Sequence, residues 1–152
     1  MSETVDKLVI ADQIIEASIE EFLDSHRYFS AFNLAGVAEE LYGKYVRITG
    51  GRDVQQEGIE AAAKIAELYG VPQQAVREWK KIANYMKNAV KHFDSEADRY
   101  IEIDAEDEAR LMIADALSNH FKVDREVTPI IQRFYKYGHE KAKEMAGEQG
   151  NL

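Results

Sequence analysis

Six residues within one short stretch carry side chains suited to holding an anion and moving a proton: Lys81, Asn84, Lys87, Asn88, Lys91 and His92. On a helix advancing about 100° per residue, Met86 centres an apolar stripe and Lys81, Asn84, Asn88 and His92 fall on the opposite side. Lys80, Lys87 and Lys91 run along one flank. Asn88 and His92, four apart, are neighbours on such a surface. An amide, an imidazole and several ammonium groups then share one exposed face. Because an unperturbed imidazole titrates near pH ~6.5, this set can bind phosphate and exchange a proton near neutrality. The plainer reading of the same residues is an exposed histidine among solubilising lysines.

Charge singles out the same segment. Residues 77–92 carry five basic and one acidic side chain, whereas the whole chain has 19 Lys and Arg against 28 Asp and Glu, net −9. A polyanion is repelled by that total unless positive charge is gathered locally. This island is the one place where it is gathered.

The elements that must position the island read as helices. Apolar residues recur at spacings of three and four, and the two-residue alternation of a half-buried strand is scarce. A first helix is expected from about Glu3 to Asp24 and a second from about Tyr28 to Ile48, closed by Thr49-Gly50-Gly51. Ala31, Ala35, Gly36 and Ala38 in the second let a neighbouring helix approach closely. A shorter, peripheral helix is expected over about Val54 to Tyr69, with Gly70 as a left-handed cap and Pro72 beyond. The next, about Pro72 to Phe93, carries the basic island and presents Val76, Trp79, Ile82, Ala83, Met86, Ala89, Val90 and Phe93 for burial. Asp104 can N-cap a helix to about Lys122, and Thr128-Pro129 looks like the N-cap and first residue of a last helix toward Met145, with a frayed tail from Gly147. The expected fold is all-α: one domain over residues 1–152, an antiparallel four-helix bundle with the short helix in one connection and the last helix packed outside.

At the basic island the chain resembles a known family. Lys87-Asn88-Ala89-Val90-Lys91-His92 resembles the signature of HEPN domains: an arginine, a polar residue, and a histidine about five positions after the arginine, all on one helix. The stretch from Leu34 to Lys44 is similar to the second helix of small stand-alone HEPN-like proteins, and Met112 to Phe121 to their fourth core helix. The resemblance thus touches three of the four core helices. It implies an all-helical bundle that acts as a metal-independent ribonuclease of toxin–antitoxin or phage-defence type, or a catalytically silent relative that binds a protein partner. By this resemblance His92, Asn88 and Lys87 are the catalytic candidates, and Lys91, Lys81 and Asn84 would bind substrate. One departure stands out, because the family's arginine is Lys87 here, and an ammonium lacks the planar two-pronged grip of a guanidinium on phosphate. One imidazole cannot easily serve both sides of an in-line displacement, so the resemblance also implies a homodimer with two motifs around a shared cleft. RNA or a nucleotide is the implied ligand, and an antitoxin or nucleotidyltransferase the implied partner.

Elsewhere the chemistry is thinner. Glu40 is expected to contact a basic side chain, in the neighbourhood of Lys87, or to sit as a solvated surface acid; His120 is expected to face the cleft or to be a hydrogen-bonded packing histidine. Glu39, Glu40, Asp115, His120 and His26 invite a carboxylate-bridged metal reading. The spacing argues against it, since those sites use Glu-x-x-His and the residues three before each histidine are Leu23, Ala89, Leu117 and Lys136. No metal or cofactor is expected. The chain has no cysteine, which excludes disulfides, thiolate metal sites and thiol nucleophiles. Neither a Walker A loop, a Rossmann glycine pattern nor a G-x-S-x-G elbow is present. The acidic start Met1 to Asp6 does not read as a signal peptide, and no apolar run reaches the roughly 20 residues of a membrane span, so a cytoplasmic protein is expected. Ten aromatic residues, Tyr85 and Phe93 among them, can offer stacking platforms for bases, though most are helix-spaced and expected in the core.

Overall fold

Asp6 starts the first helix, its carboxylate accepting the Leu8 N–H at 2.9 Å, and α1 then runs Lys7–Leu23. This is a computed structural model that describes the backbone of residues 2–149; the side chains of residues 73, 76, 79, 80, 82, 83, 148 and 149 lie outside what is described. Residues Ala11, Ile15, Ser18, Ile19 and Phe22, at helical spacing, form the buried face of α1. After a turn in which His26 takes a positive φ of 53°, α2 runs Tyr28–Ile48. Its buried face is Ala31, Phe32, Ala35, Ala38, Glu39, Tyr42, Gly43 and Val46. The small residues allow α1 and α2 to come close enough for Ser18 Oγ to donate to the Ala31 carbonyl at 2.7 Å.

The helix α3, Val54–Leu68, begins with a capping box in which Asp53 and Gln56 exchange hydrogen bonds, and Gly70 follows it at φ 66°. Among its described side chains only Ala66 is buried, as a peripheral helix requires. Then come α4, Gln73–Ala89, a single 3-10 turn at Glu96–Arg99, α5, Ala105–Lys122, and α6, Pro129–Gln149. Asp104 caps α5 through the Asp107 N–H at 3.0 Å, and Glu106, Asp107 and Glu108 sit at its positive end. All six helices, and the absence of strands among the described residues, make the protein all-α.

The helices α1, α2 and α5 pack together around Ile15, Ile19, Phe22, Tyr42, Ile113 and Leu117. Each large aliphatic chain buried there contributes roughly 1.5–3 kcal/mol. The helix α6 lies against α1, with Phe22 meeting Phe134 edge-on at 5.8 Å and Tyr137 at 5.2 Å. Ile131 and Phe134 are core residues, so the last helix is built into the packing rather than simply laid outside it. It also continues past Gly147 to Gln149, where fraying was expected; residues 150–152 lie outside the description.

The helix α4 differs most from expectation. It packs chiefly on α3, with Met86 and Val90 partly buried against the core, and it stops at Ala89 instead of Phe93. Both the Lys91 and the His92 N–H turn back to the Asn88 carbonyl at 3.0 Å, which closes the last turn. The acidic run Asp94-Ser95-Glu96 would lie at the negative end of a longer helix, an unfavourable place for carboxylates. Phe93, expected in the core, is 68% exposed. The expected burial of Val76, Trp79, Ile82 and Ala83, and the place of Lys80, fall on side chains outside the description. No described helix is long and apolar enough to cross a membrane.

Candidate functional site

The exposed face of α4 repeats at i, i+4, i+7 and i+11 from Arg77, which brings Lys81, Asn84 and Asn88 onto one line. His92 lies one turn beyond the helix end and stays beneath Asn88 through the backbone bond just described. These five residues line one wall of an open groove of about 920 Å³. The segment after α4 also lines it, with Asp94, Ala97, Asp98, Tyr100 and Ile101. The predicted residues Lys81, Asn84, Asn88 and His92 are therefore brought together, although His92 is carried by a helix-terminal turn rather than by the helix itself. Arg77 and Tyr100 were missed. Arg77 was legible as the residue four before Lys81, whereas Tyr100 reaches the groove by the 3-10 turn, which has no periodic signature.

Lys87 and Lys91 look the other way, into a smaller hollow of about 500 Å³ between α4 and α2 that Glu39, Glu40, Lys44 and Gln55 also line. Asn84 and Asn88 form the ridge between the two. Lys87 is not available as a free cation: its Nζ donates to Glu39 Oε2 at 2.7 Å, with the two side chains 19% and 4% exposed. Gln55 donates to the same oxygen at 3.3 Å, and Asn119 Nδ2 donates to Glu39 Oε1 at 3.3 Å. Asn119 Oδ1 in turn accepts the Val54 N–H at 2.9 Å, at the start of α3. One buried carboxylate thus ties α2, α3, α4 and α5 together. Gly43 makes room for this network, because a Cβ at that position would lie 3.0 Å from Asn119 Nδ2 and 3.2 Å from Asp53 Oδ2.

Glu40 and His120, the supporting candidates from sequence, each stand next to a member of this network, Glu39 and Asn119. Glu40 pairs with Lys44 at 2.6 Å on the outer side of α2, while its neighbour Glu39 takes Lys87. The Lys44 hydrogen bond chiefly holds the Glu40 carboxyl below its ordinary range, with Lys91 and Lys87 adding to the effect. Likewise Asn119 joins the network, and His120 points away from it into the packing. Its ring stands edge-on to Tyr42, with centroids 5.4 Å apart, and is 1% exposed. Among the described residues no three His, Asp or Glu side chains converge as a metal site would require.

Around His120, Asp12 accepts the Tyr42 hydroxyl at 2.7 Å and a two-pronged grip from Arg125, whose Nε lies 3.0 Å from Asp12 Oδ2. Burial opposes charge on Asp12, but the Arg125 and Tyr42 bonds outweigh it and its carboxyl is held low. Burial also opposes charge on His120 and lowers it from the ordinary 6.5, against the opposing pull of Asp12 and a Glu126 backbone hydrogen bond. The folded protein therefore takes up this proton less readily than the unfolded chain does. Stability from this residue is complete above the ordinary histidine range and is lost as pH falls through 6.5 toward the lower folded value. The urea midpoint is expected to fall between pH 7.5 and 5.5 in the native protein, and to fall less in His120→Gln. Equal slopes in the two proteins would refute the assignment.

Comparison of the chain with protein-family models, with curated proteins and with solved structures finds no match.

Proposed function

We propose that this protein is a small HEPN-like helical protein that engages RNA phosphates at the α4 groove and cleaves RNA without a metal when two copies pair. The observation that carries this reading is the exposed His92 placed in line with Asn88, Asn84, Lys81 and Arg77 on one groove wall. The ribose 2′-oxygen attacks the adjacent phosphorus, giving its proton to His92 of one copy. The bond to the 5′-oxygen breaks, and that oxygen takes a proton from the second copy's imidazole, leaving a 2′,3′-cyclic phosphate and a 5′-hydroxyl. Arg77 and Lys81 stabilise the extra negative charge on the phosphorane. Lys87, expected to share that task, is assigned here to hold α4 against α2 through Glu39.

The engagement of Lys87 also favours a second reading, a catalytically silent scaffold whose helical faces bind a protein such as an antitoxin or nucleotidyltransferase. Incubating the purified protein with RNA in the presence of a chelator separates the two. Cleavage with cyclic-phosphate ends supports the first; intact RNA across substrates and pH, with a protein recovered by pull-down from the native host, supports the second.

A further inference from the structure

Around His120 lies a cavity of about 360 Å³ that shares no lining residue with either hollow at α4. Residues of α1, the end of α5, the α5–α6 connection and the start of α6 line it. Asp12, Glu16, Asp124 and Glu126 bring four carboxylates, and Arg125 brings one guanidinium. Arg125 is neutralised by Asp12, whereas the carboxylates of Glu16, Asp124 and Glu126 make no ion pair or hydrogen bond among the described residues. Three unpaired carboxylates around one cavity repel one another, and a cation among them relieves that repulsion. The N-terminus of α6 also opens here, but its positive end amounts to roughly half a charge, which three carboxylates outweigh.

A second observation points to an occupant. Two residues lining this cavity each keep a buried polar atom without a partner: Nδ1 of His120, a residue 1% exposed, and Oγ1 of Thr128. Buried polar atoms are rarely left so in a folded protein. Burial holds the His120 ring toward its neutral form, and the Glu126 backbone carbonyl draws a ring proton. The unpartnered Nδ1 is then the nitrogen that offers a lone pair. Carboxylates and a lone pair alike call for a ligand that donates and is positively charged.

The arrangement does not suit a single metal ion, because among the described residues no three His, Asp or Glu side chains converge. Spaced carboxylates match a cation whose charges are also spaced. The buried Ile15 and Ile131 line the same cavity and offer apolar surface to a methylene chain. The volume of 360 Å³ stands at the small end of the roughly 300–1,000 Å³ common for small-molecule sites.

We propose that this cavity binds a small aliphatic diamine, its ammonium groups taken by the carboxylates of Glu16, Asp124 and Glu126 and by the free acceptors of His120 and Thr128, and its chain lying on Ile15 and Ile131. The site is independent of the α4 groove and of any action on RNA.

NMR titration of the full chain tests it, at a pH of about 8 where an unperturbed histidine is neutral and in about 0.15 M salt to screen diffuse attraction. The His120 ring resonances are assigned by their loss in His120→Gln. Millimolar 1,4-diaminobutane is expected to shift them saturably, while butan-1-ol and Mg²⁺ leave them in place. The double variant Glu16→Gln, Glu126→Gln is expected to weaken the diamine at least tenfold, and its fold should hold because neither carboxylate has a partner to lose. Glu67→Gln with Glu144→Gln removes the same charge from exposed helix positions outside the cavity and is expected to leave affinity within twofold. No shift, a shift that does not saturate, equal weakening in the two double variants, or the same saturable shift with Mg²⁺ each overturns the proposal.

Discussion

A His92→Ala protein is expected to lose metal-free RNA cleavage by a factor of about 10²–10⁴, the range that a positioned general acid–base supplies. Its fold should be untouched, because His92 is exposed and follows the last turn of α4, where its backbone N–H, which the substitution keeps, is engaged. In the proposed transfer both steps need an imidazole, one as base and one as acid. A mixture of His92→Ala and native chains should therefore show less activity than the native fraction alone if two rings act across one cleft. Measuring initial rates against mixing ratio checks this: a linear dependence argues that each protomer works by itself. An unchanged rate in the pure variant would remove His92 from the chemistry altogether.

The second large effect is on stability. Glu39→Ala is expected to cost about 3–5 kcal/mol, since it strands the mostly buried Lys87 ammonium and leaves Asn119 and Gln55 without their acceptor. A domain's whole stability is roughly 5–15 kcal/mol, so the variant should unfold at a much lower denaturant concentration. Replacing both partners, as in Glu39→Leu with Lys87→Met, should recover most of the loss, because the desolvation penalty disappears along with the attraction. Urea midpoints of the two single variants and the double variant measure the coupling. If Lys87 serves phosphate instead of Glu39, the double variant would recover its stability and still bind RNA more weakly than the native protein. If its role is structural, affinity should return with stability.

The parts of this molecule written in local chemistry were legible before the coordinates. Asp104 followed by three acids marks the start of α5, and Gly70 before Pro72 marks the end of α3, each by a mechanism confined to a few residues. The end of α4 was not legible, because Val90 and Phe93 continue the apolar period and no glycine or proline interrupts it. Glu39 carried a signal that was passed over. It lies four after Ala35 and three before Tyr42, in the register of the buried face of α2, and a carboxylate there needs a partner. Which partner it finds depends on how α4 folds back, and that is a property of the tertiary packing. The lining of the groove had the same limit: Arg77 repeats the spacing of Lys81, but Asp98 and Tyr100 arrive through an irregular segment.

Gly43 stands behind the groove helix without lining the groove. The clearance left by its missing side chain is what lets the amide of α5 reach the carboxylate of α2, and that carboxylate is what anchors the cationic helix. A single added methyl, in Gly43→Ala, would act as a wedge: to relieve it, either the amide rotates away or two helices part by a few tenths of an ångström. The seating of α4 is thus tied, two contacts away, to one hydrogen atom at its rear, and a substitution remote from the outer cleft would disturb the helix that lines it.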